Sequence, residues 1–316
     1  MRRWKIWLIV YSPALLWAGL SLKEATWWVE NIVAYPSLFL IVYIVFALIF
    51  ALRLKWAPSA ICIVLAGAFT LMAPKSNQNL VSRCANSVSV VQFNLYYENP
   101  DVNAFINYLL TKPADLVVMQ EVAPEIGERL KMLSDIYPHF YGGQKGVGYP
   151  SSQMILSVSP LKNMSVFMTP DEQNIIRGTW YPHNQSAMTL IVAHPTSPRT
   201  KELWYRRNAL IRTIESLIEI YPSDEVMVLG DFNLSSASLR FAKLFPTFQK
   251  APVASWPNWS QAFNTPPVSM IAIDHLWLQS VNAGRKICQR QSSPNPAGSD
   301  HFLSLIHISE PTRQPC

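Results

Sequence analysis

Residues 225–234 read EVMVLGDFNL, and the organisation of the chain can be built outward from them. EVMVL is a short apolar run without a polar face, the pattern of a strand buried on both sides. Gly230 lets the backbone turn tightly after that strand. Asp231 then stands at the strand end, where a carboxylate can orient or deprotonate a water. Asn233, two residues on, can donate its amide to a phosphate oxygen. The same residues also make an Asx turn, so the stretch alone leaves a structural and a catalytic role open.

From residue 87 onward, strand and helix patterns alternate. SVSVVQFN (87–94), DLVVM (115–119), residues 154–158 and MTLIVA (188–193) read as strands, and 101–110, 124–136 and 200–220 have helical spacing. Residues 270–278 and 299–305 close the series. This mixture predicts an α/β (α+β) sandwich. The polar residues that break the pattern gather at strand ends: Asn94, Glu121, His194, Asp231, Asn233, Asp274, Asp300 and His301. Ligands are held there because the sheet is rigid while loops vary. A carboxylate such as Glu121 at the end of a buried strand is costly unless it is paired or holds a metal. Hard oxygen donors suit Mg2+. Asp274, Asp300 and His301 complete the set, and a histidine held by a carboxylate has a fixed tautomer and a stabilised charged form. His194 supplies a second imidazole, although a histidine taken alone is more often structural.

The formal charge of +6 is unevenly placed. Residues 1–73 hold six basic and two acidic side chains, and the remainder holds 20 and 18. The near-neutral remainder lacks the electrostatic footprint of a dedicated polyanion binder. Three uncharged apolar runs, 6–22, 31–52 and 57–73, predict three transmembrane helices. The expected organisation is an anchor over 1–73, a linker over 74–86 and a soluble domain beyond. Arg2, Arg3 and Lys5 precede the first run, and Arg53 and Lys55 separate the second from the third. The intervening residues 23–30 carry one Lys and two Glu. Lys/Arg placement therefore predicts a cytoplasmic N-terminus and an exported soluble domain. The first run also resembles a signal peptide, and its removal would leave that topology unchanged. Cys62 falls inside the third run. Cys84 and Cys288 would pair only in an oxidising compartment, and spacing cannot show their proximity.

Taken together, QFNLYYENPD (92–101), MQEV (119–122), MILSVSPL (154–161), IVAHPTSP (191–198), GDFNL (230–234), IDHLWL (273–278) and SDH (299–301) resemble the endonuclease/exonuclease/phosphatase family. These motifs stand in family order. The resemblance implies a four-layer sandwich of two β-sheets flanked by helices, and a metal-dependent hydrolase of phosphoester bonds using Mg2+ or Mn2+. It implies Glu121 as principal metal ligand with Asn94 beside it and Asp300 next to the metal site. It further implies Asp231 activating water, Asn233 holding the phosphate, His301 oriented by Asp274, and His194 as a second phosphate-side histidine. Three spans before such a domain look like the membrane-bound bacterial branch. The expected location is thus a bacterial inner membrane, with the domain, 87–303, on the periplasmic or extracellular side. Expected partners are the membrane and a phosphoester in a lipid head group, a nucleic acid or a small molecule. SWPNW (255–259) resembles a family loop near the active-site mouth, where Trp256 and Trp259 could stack on a substrate base, face a lipid or pack, with packing the favoured expectation.

One departure stands out. After SDH the family continues with proline and an apolar strand, whereas this chain reads HFLSLIHISEPTRQPC (301–316). Residues 304–316 are accordingly set apart as an atypical tail resembling translated adapter sequence. The competing function is a catalytically silent, membrane-anchored binding module with the same fold. The intact polar set argues against it.

Overall fold

The computed structural model describes residues 3–23, 26–82, 84, 86–146, 149–150, 152–183, 185–259 and 265–309. Arg2, Glu24, Cys316 and the rest of the tail from 310 lie outside them. The chain opens with α1 (Arg3–Leu22), α2 (Trp27–Val33), α3 (Pro36–Leu52) and α4 (Trp56–Met72). It continues through β1 (Asn77–Asn79), β2 (Ser87–Asn94), α5 (Val102–Thr111), β3 (Leu116–Gln120), α6 (Pro124–Leu130), β4 (His139–Gly142) and β5 (Gln153–Ser157). Next come β6 (Leu161–Met168), β7 (Asn174–Trp180), β8 (Met188–Ala193), α7 (Lys201–Ile220) and β9 (Glu225–Asp231). The described chain closes with α8 (Leu239–Lys243), β10 (Gln249–Lys250), β11 (Asp274–Ser280), β12 (Lys286–Ser293) and β13 (Leu303–Ser309).

The strands form two mixed sheets, ordered β1-β12-β13-β2-β3-β5-β4 and β10-β11-β9-β8-β7-β6. Val90, Val118 and Ile306 of the first face Leu190, Met227 and Leu276 of the second across one buried core. The outer face of the first sheet packs Phe93 and Met119 on Phe105 and Leu130 of α5 and α6. The outer face of the second packs Val228 and Trp277 on Leu210, Ile214 and Phe241 of α7 and α8. The result is the expected sandwich of two sheets flanked by helices. Apolar side chains at 204, 211 and 214 of α7 repeat at helical spacing, and Thr200 Oγ1 caps the helix by accepting from Leu203 N–H at 3.2 Å.

Each sheet contains one parallel pair, β2 with β3 and β8 with β9. Parallel strands end on the same side, so Asn94, Glu121, His194 and Asp231 emerge from one edge of the sandwich. Antiparallel β11 begins at that edge, with Asp274 opposite Asp231.

Several expected elements shift. The helix expected over 124–136 ends at Leu130 and passes into a 3-10 turn, Lys131–Leu133. Strand β13 starts at Leu303 and runs to Ser309, central in its sheet between β12 and β2. It therefore takes in residues 304–309 of the stretch set apart above. Ile306 and Ile308 are fully buried there. Cys84 and Cys288 form a disulfide.

The N-terminal region departs from three plain spans. Among the described residues, α1 is the one helix long and apolar enough to cross a membrane. The second expected span is broken into α2 and α3, bent by 60°. Pro36 supplies the break, since it lacks an N–H and disfavours helical geometry at the residue before it. Counted as one bent span, that pair is a second candidate, and α4 is a shorter apolar helix of 17 residues. Helices α1, α3 and α4 pack through Val10, Phe39, Tyr43, Cys62 and Phe69. They leave Leu15, Leu16, Ile41, Leu48, Ile63 and Val64 exposed.

Candidate active site

The strand ends open on a cleft of about 710 Å³ that Glu121, His194, Asp231, Asn233, Asp300 and His301 line. Asn94 and Asp274 lie buried behind it. All eight residues singled out from the sequence thus reach one place. At its centre is Asp231. Its Oδ2 lies 3.6 Å from His194 Nε2 and 3.7 Å from His301 Nε2, and accepts from Asn94 Nδ2 at 3.0 Å. Asn94 Nδ2 also donates to Glu121 Oε1 at 3.0 Å. Asp274 Oδ2 is 2.9 Å from His301 Nδ1.

The backbone around these groups is constrained. Gly230 does not turn the chain after the strand, as the sequence suggested. It lies within β9, at φ +148°, and only glycine fits there, since a Cβ would sit 1.9 Å from Ala193 O of β8. The absent side chain brings Asp231 and His194 onto adjacent strand ends. Glu121 and Asn233 adopt left-handed φ values of 54° and 49°, conformations that non-glycine residues hold only when their surroundings enforce them. The Asx turn is present too, with Asn233 N–H donating to Asp231 Oδ1 at 2.9 Å. Structure and chemistry therefore share this loop. Asn233 Nδ2 donates to Pro195 O at 3.0 Å, tying the loop after β9 to the loop after β8.

Burial shapes the electrostatics. It pushes the Asp231 carboxyl up to about 8, reinforced by the neighbouring Asp274 charge. Burial opposes the charged form of His301, yet the charge and hydrogen bond of Asp274 lift it to about 10. Asp274 stays below its ordinary value, its own burial outweighed by His301. Burial lowers His194. Ligand atoms of Glu121, His194 and Asp231 lie within 4.8 Å of one another, as do those of Asp231, Asp274 and His301. Asp274 Oδ1 is buried without a hydrogen-bond partner. The carboxylates of Glu121 and Asp231 beside the His194 imidazole are a donor set that fits a divalent cation.

The family model of the Endonuclease/Exonuclease/phosphatase family matches residues 91–301. The chain belongs to the endonuclease/exonuclease/phosphatase family. No curated protein matches it in sequence. Among solved structures, it is similar to D. rerio TDP2 complexed with single strand DNA product, at TM-score 0.58 and 18% identity over 71% of this chain and 99% of that one. An endonuclease/exonuclease/phosphatase from Beutenbergia cavernae aligns at TM-score 0.56 and 14% identity, over 71% and 72% of the two chains. A variant of the 3' phosphatase NExo from Neisseria, bound to a product DNA hairpin, aligns at TM-score 0.52 and 16% identity, over 69% and 98%. At these identities the likeness is one of fold.

Other residues of this family member support the site without standing out in the sequence. Ser255 Oγ accepts from Asp274 N–H at 3.1 Å, and Ser299 Oγ accepts from His301 N–H at 2.9 Å. Buried Arg290 donates to Asp274 O at 2.9 Å and to Ser304 Oγ at 3.2 Å. Trp256 Nε1 donates to Asp300 Oδ2 at 3.0 Å, holding that carboxylate at the cleft. Trp259, expected to pack, is 66% exposed. Arg207, on α7, donates to Asn233 O at 2.9 Å. A signal for it existed, since a basic residue at 207 falls on the apolar stripe of residues 204, 211 and 214.

Proposed function

We propose that the chain is a divalent-metal-dependent phosphoesterase tethered to a bacterial inner membrane, with its domain on the non-cytoplasmic side. One observation carries the catalytic part: side chains from separate strand ends converge on Asp231 within one cleft. In this reading Glu121 is the principal ligand for Mg2+ or Mn2+, Asn94 stands beside it and Asp300 lies at the edge of the site. The bound cation would polarise the phosphoryl group and neutralise developing charge. Asp231, whose proton affinity is raised toward neutrality, takes a proton from the attacking water. Asn233 and His194 hold phosphate oxygens. His301, kept charged by Asp274, stabilises the transition state and can protonate the leaving oxygen.

The tether is supported by the exposed apolar faces of α1, α3 and α4, too extensive for a soluble surface. Export is supported by the Lys/Arg placement and by the disulfide, a bond of oxidising compartments. A phosphoester at the membrane surface, such as a lipid head group, is the preferred substrate, because tethering raises its local concentration. Polynucleotide is the second reading, since two structural neighbours were solved with DNA product; the near-neutral charge beyond residue 73 weighs against it. The test is a panel of phospholipids, single- and double-stranded DNA, RNA and sugar phosphates, with Mg2+, with Mn2+ and with chelator. Turnover that chelator abolishes is expected on the lipid arm. No turnover on any arm would favour a silent binding module.

A further inference from the structure

The cleft is not built by the catalytic domain alone. Glu30, Asn31, Ala34 and Tyr35, from α2 and its junction with α3, line it together with the strand-end residues. Glu30 comes from a stretch expected to belong to the membrane anchor, yet it is buried against the domain. Its Oε1 lies 2.6 Å from Arg207 Nη2, and its Oε2 accepts from Trp204 Nε1 at 2.8 Å. Arg207 is itself 1% exposed. The same guanidinium donates from Nη1 to Asn233 O and from Nη2 to Asn208 Oδ1 at 2.8 Å. An Arg fork engaged on three sides has few geometries open to it. Asn233 holds a left-handed backbone conformation, which such a clamp can enforce.

Three further contacts follow along α2 and its junction with α3. Asn31 Nδ2 donates to Pro198 O at 2.9 Å, in the segment that follows His194. Ala34 O accepts from Ser235 Oγ at 3.1 Å, just beyond Asn233. Tyr35 then meets the Trp256 ring at a centroid distance of 6.4 Å, and Trp256 holds Asp300. Each loop that α2 or this junction touches carries a residue of the site.

We propose that α2 is a working wall of the active site, and that Glu30 and Arg207 are positioning residues that hold the Asn233 loop. The anchor then does more than tether: it completes the cleft. Because α3 begins at Pro36, directly after Tyr35, the cleft opens beside the apolar helices and receives its phosphoester at the membrane surface. What the cleft hydrolyses rests on the reading given under Proposed function; the clamp on the loops does not.

The test uses the full-length protein in detergent and has two arms. In the first, hydrogen exchange compares wild type with Glu30→Gln. Peptides covering 194–199 and 231–236 are expected to exchange about tenfold faster in the variant, with β2, β3 and β9 protected as before. Unchanged exchange in those loops would overturn the proposal, whatever the activity. If Glu30→Gln unfolds globally, Asn31→Ala decides, because it removes one hydrogen bond and no charge. Faster exchange confined to 194–199 supports the wall, and no change overturns it. The second arm follows turnover of bis(p-nitrophenyl) phosphate with Mn2+. A loosened Asn233 loop should lower kcat by about 10- to 100-fold with little change in KM. An unaltered kcat in Glu30→Gln would overturn the positioning role. A wild type without turnover counts against the phosphoesterase reading and leaves the exchange arm to decide the wall.

Discussion

Asp231 and His301 gain proton affinity on folding, and this fixes how the metal-free protein should respond to pH. Asp231 moves from an ordinary carboxyl value up to about 8, and His301 up to about 10. Between about pH 4 and 8 for Asp231, and about 6.5 and 10 for His301, the folded chain keeps protons that the unfolded chain releases. The contribution of each group to stability therefore falls as pH rises through its window, while buried His194 and His275, whose values are lowered, act in the opposite sense only below about 6.5. Chelator-treated protein should show a declining Tm from about pH 6 to pH 9, and Asp231→Asn should flatten the lower part of that decline. A Tm that climbs over the same interval would contradict the protonation pattern. Catalysis gives the second residue-scale prediction. Glu121→Ala and Asp231→Ala should each lower turnover by roughly 10²–10⁴-fold, with circular dichroism unchanged, since both sit at strand ends outside the packed layers. Wild-type rates in either variant would remove these residues from the chemistry.

At the scale of elements, the position of Gly230 decides whether two strands can bring their catalytic ends together. A methyl group there would meet Ala193 O at 1.9 Å, backbone against backbone, so neither partner can rotate away. Gly230→Ala is expected to destabilise the domain by about 1–3 kcal/mol and to lower activity further than stability alone explains, as urea titration beside turnover would show. Full activity would mean that β8 and β9 separate without consequence. The same element shows why the site could be read from sequence. Each residue from Asn94 to His301 is a polar interruption at the edge of an apolar run, and parallel pairing carries those edges to one side. Strands β1, β4, β6, β7, β10 and β12 were not read from the sequence, and β6 and β12 show why. KICQRQSS reads as a solvated segment, because Arg290 is buried only through partners that other strands supply. LKNMSVFM has a half-buried pattern with no clean alternation. Glu30 was hidden for a related reason: it looks ordinary on its own element and acquires its role only when α2 meets α7, whereas Arg207 interrupts the apolar stripe of its own helix.

For the molecule as a whole, independent features constrain the topology. If α1, α3 and α4 enter a membrane as proposed, the contacts of α2 with α7 and the Asn233 loop require the segment between α1 and α3 to share a side of it with the domain. The Lys/Arg distribution gives that arrangement without reference to any contact. The disulfide of Cys84 with Cys288 adds a chemical marker, since such bonds do not persist among cytosolic thiols. It joins the segment before β2 to β12, across 204 residues of chain, so the proposed export would be linked to folding of the domain. The chain has four cysteines. Acid-quenched cells treated with a mass-tagging maleimide under denaturing conditions should therefore yield a chain carrying two tags, on Cys62 and Cys316. Prior reduction should raise this to four. A fusion that keeps the domain in the cytoplasm should show four without reduction. Four tags on the native chain before reduction would place the domain among reduced thiols and reverse the orientation. Because α2 and the domain must stay on one side, that result would also require α1 and α3 to approach the membrane from the opposite face, against their flanking charges.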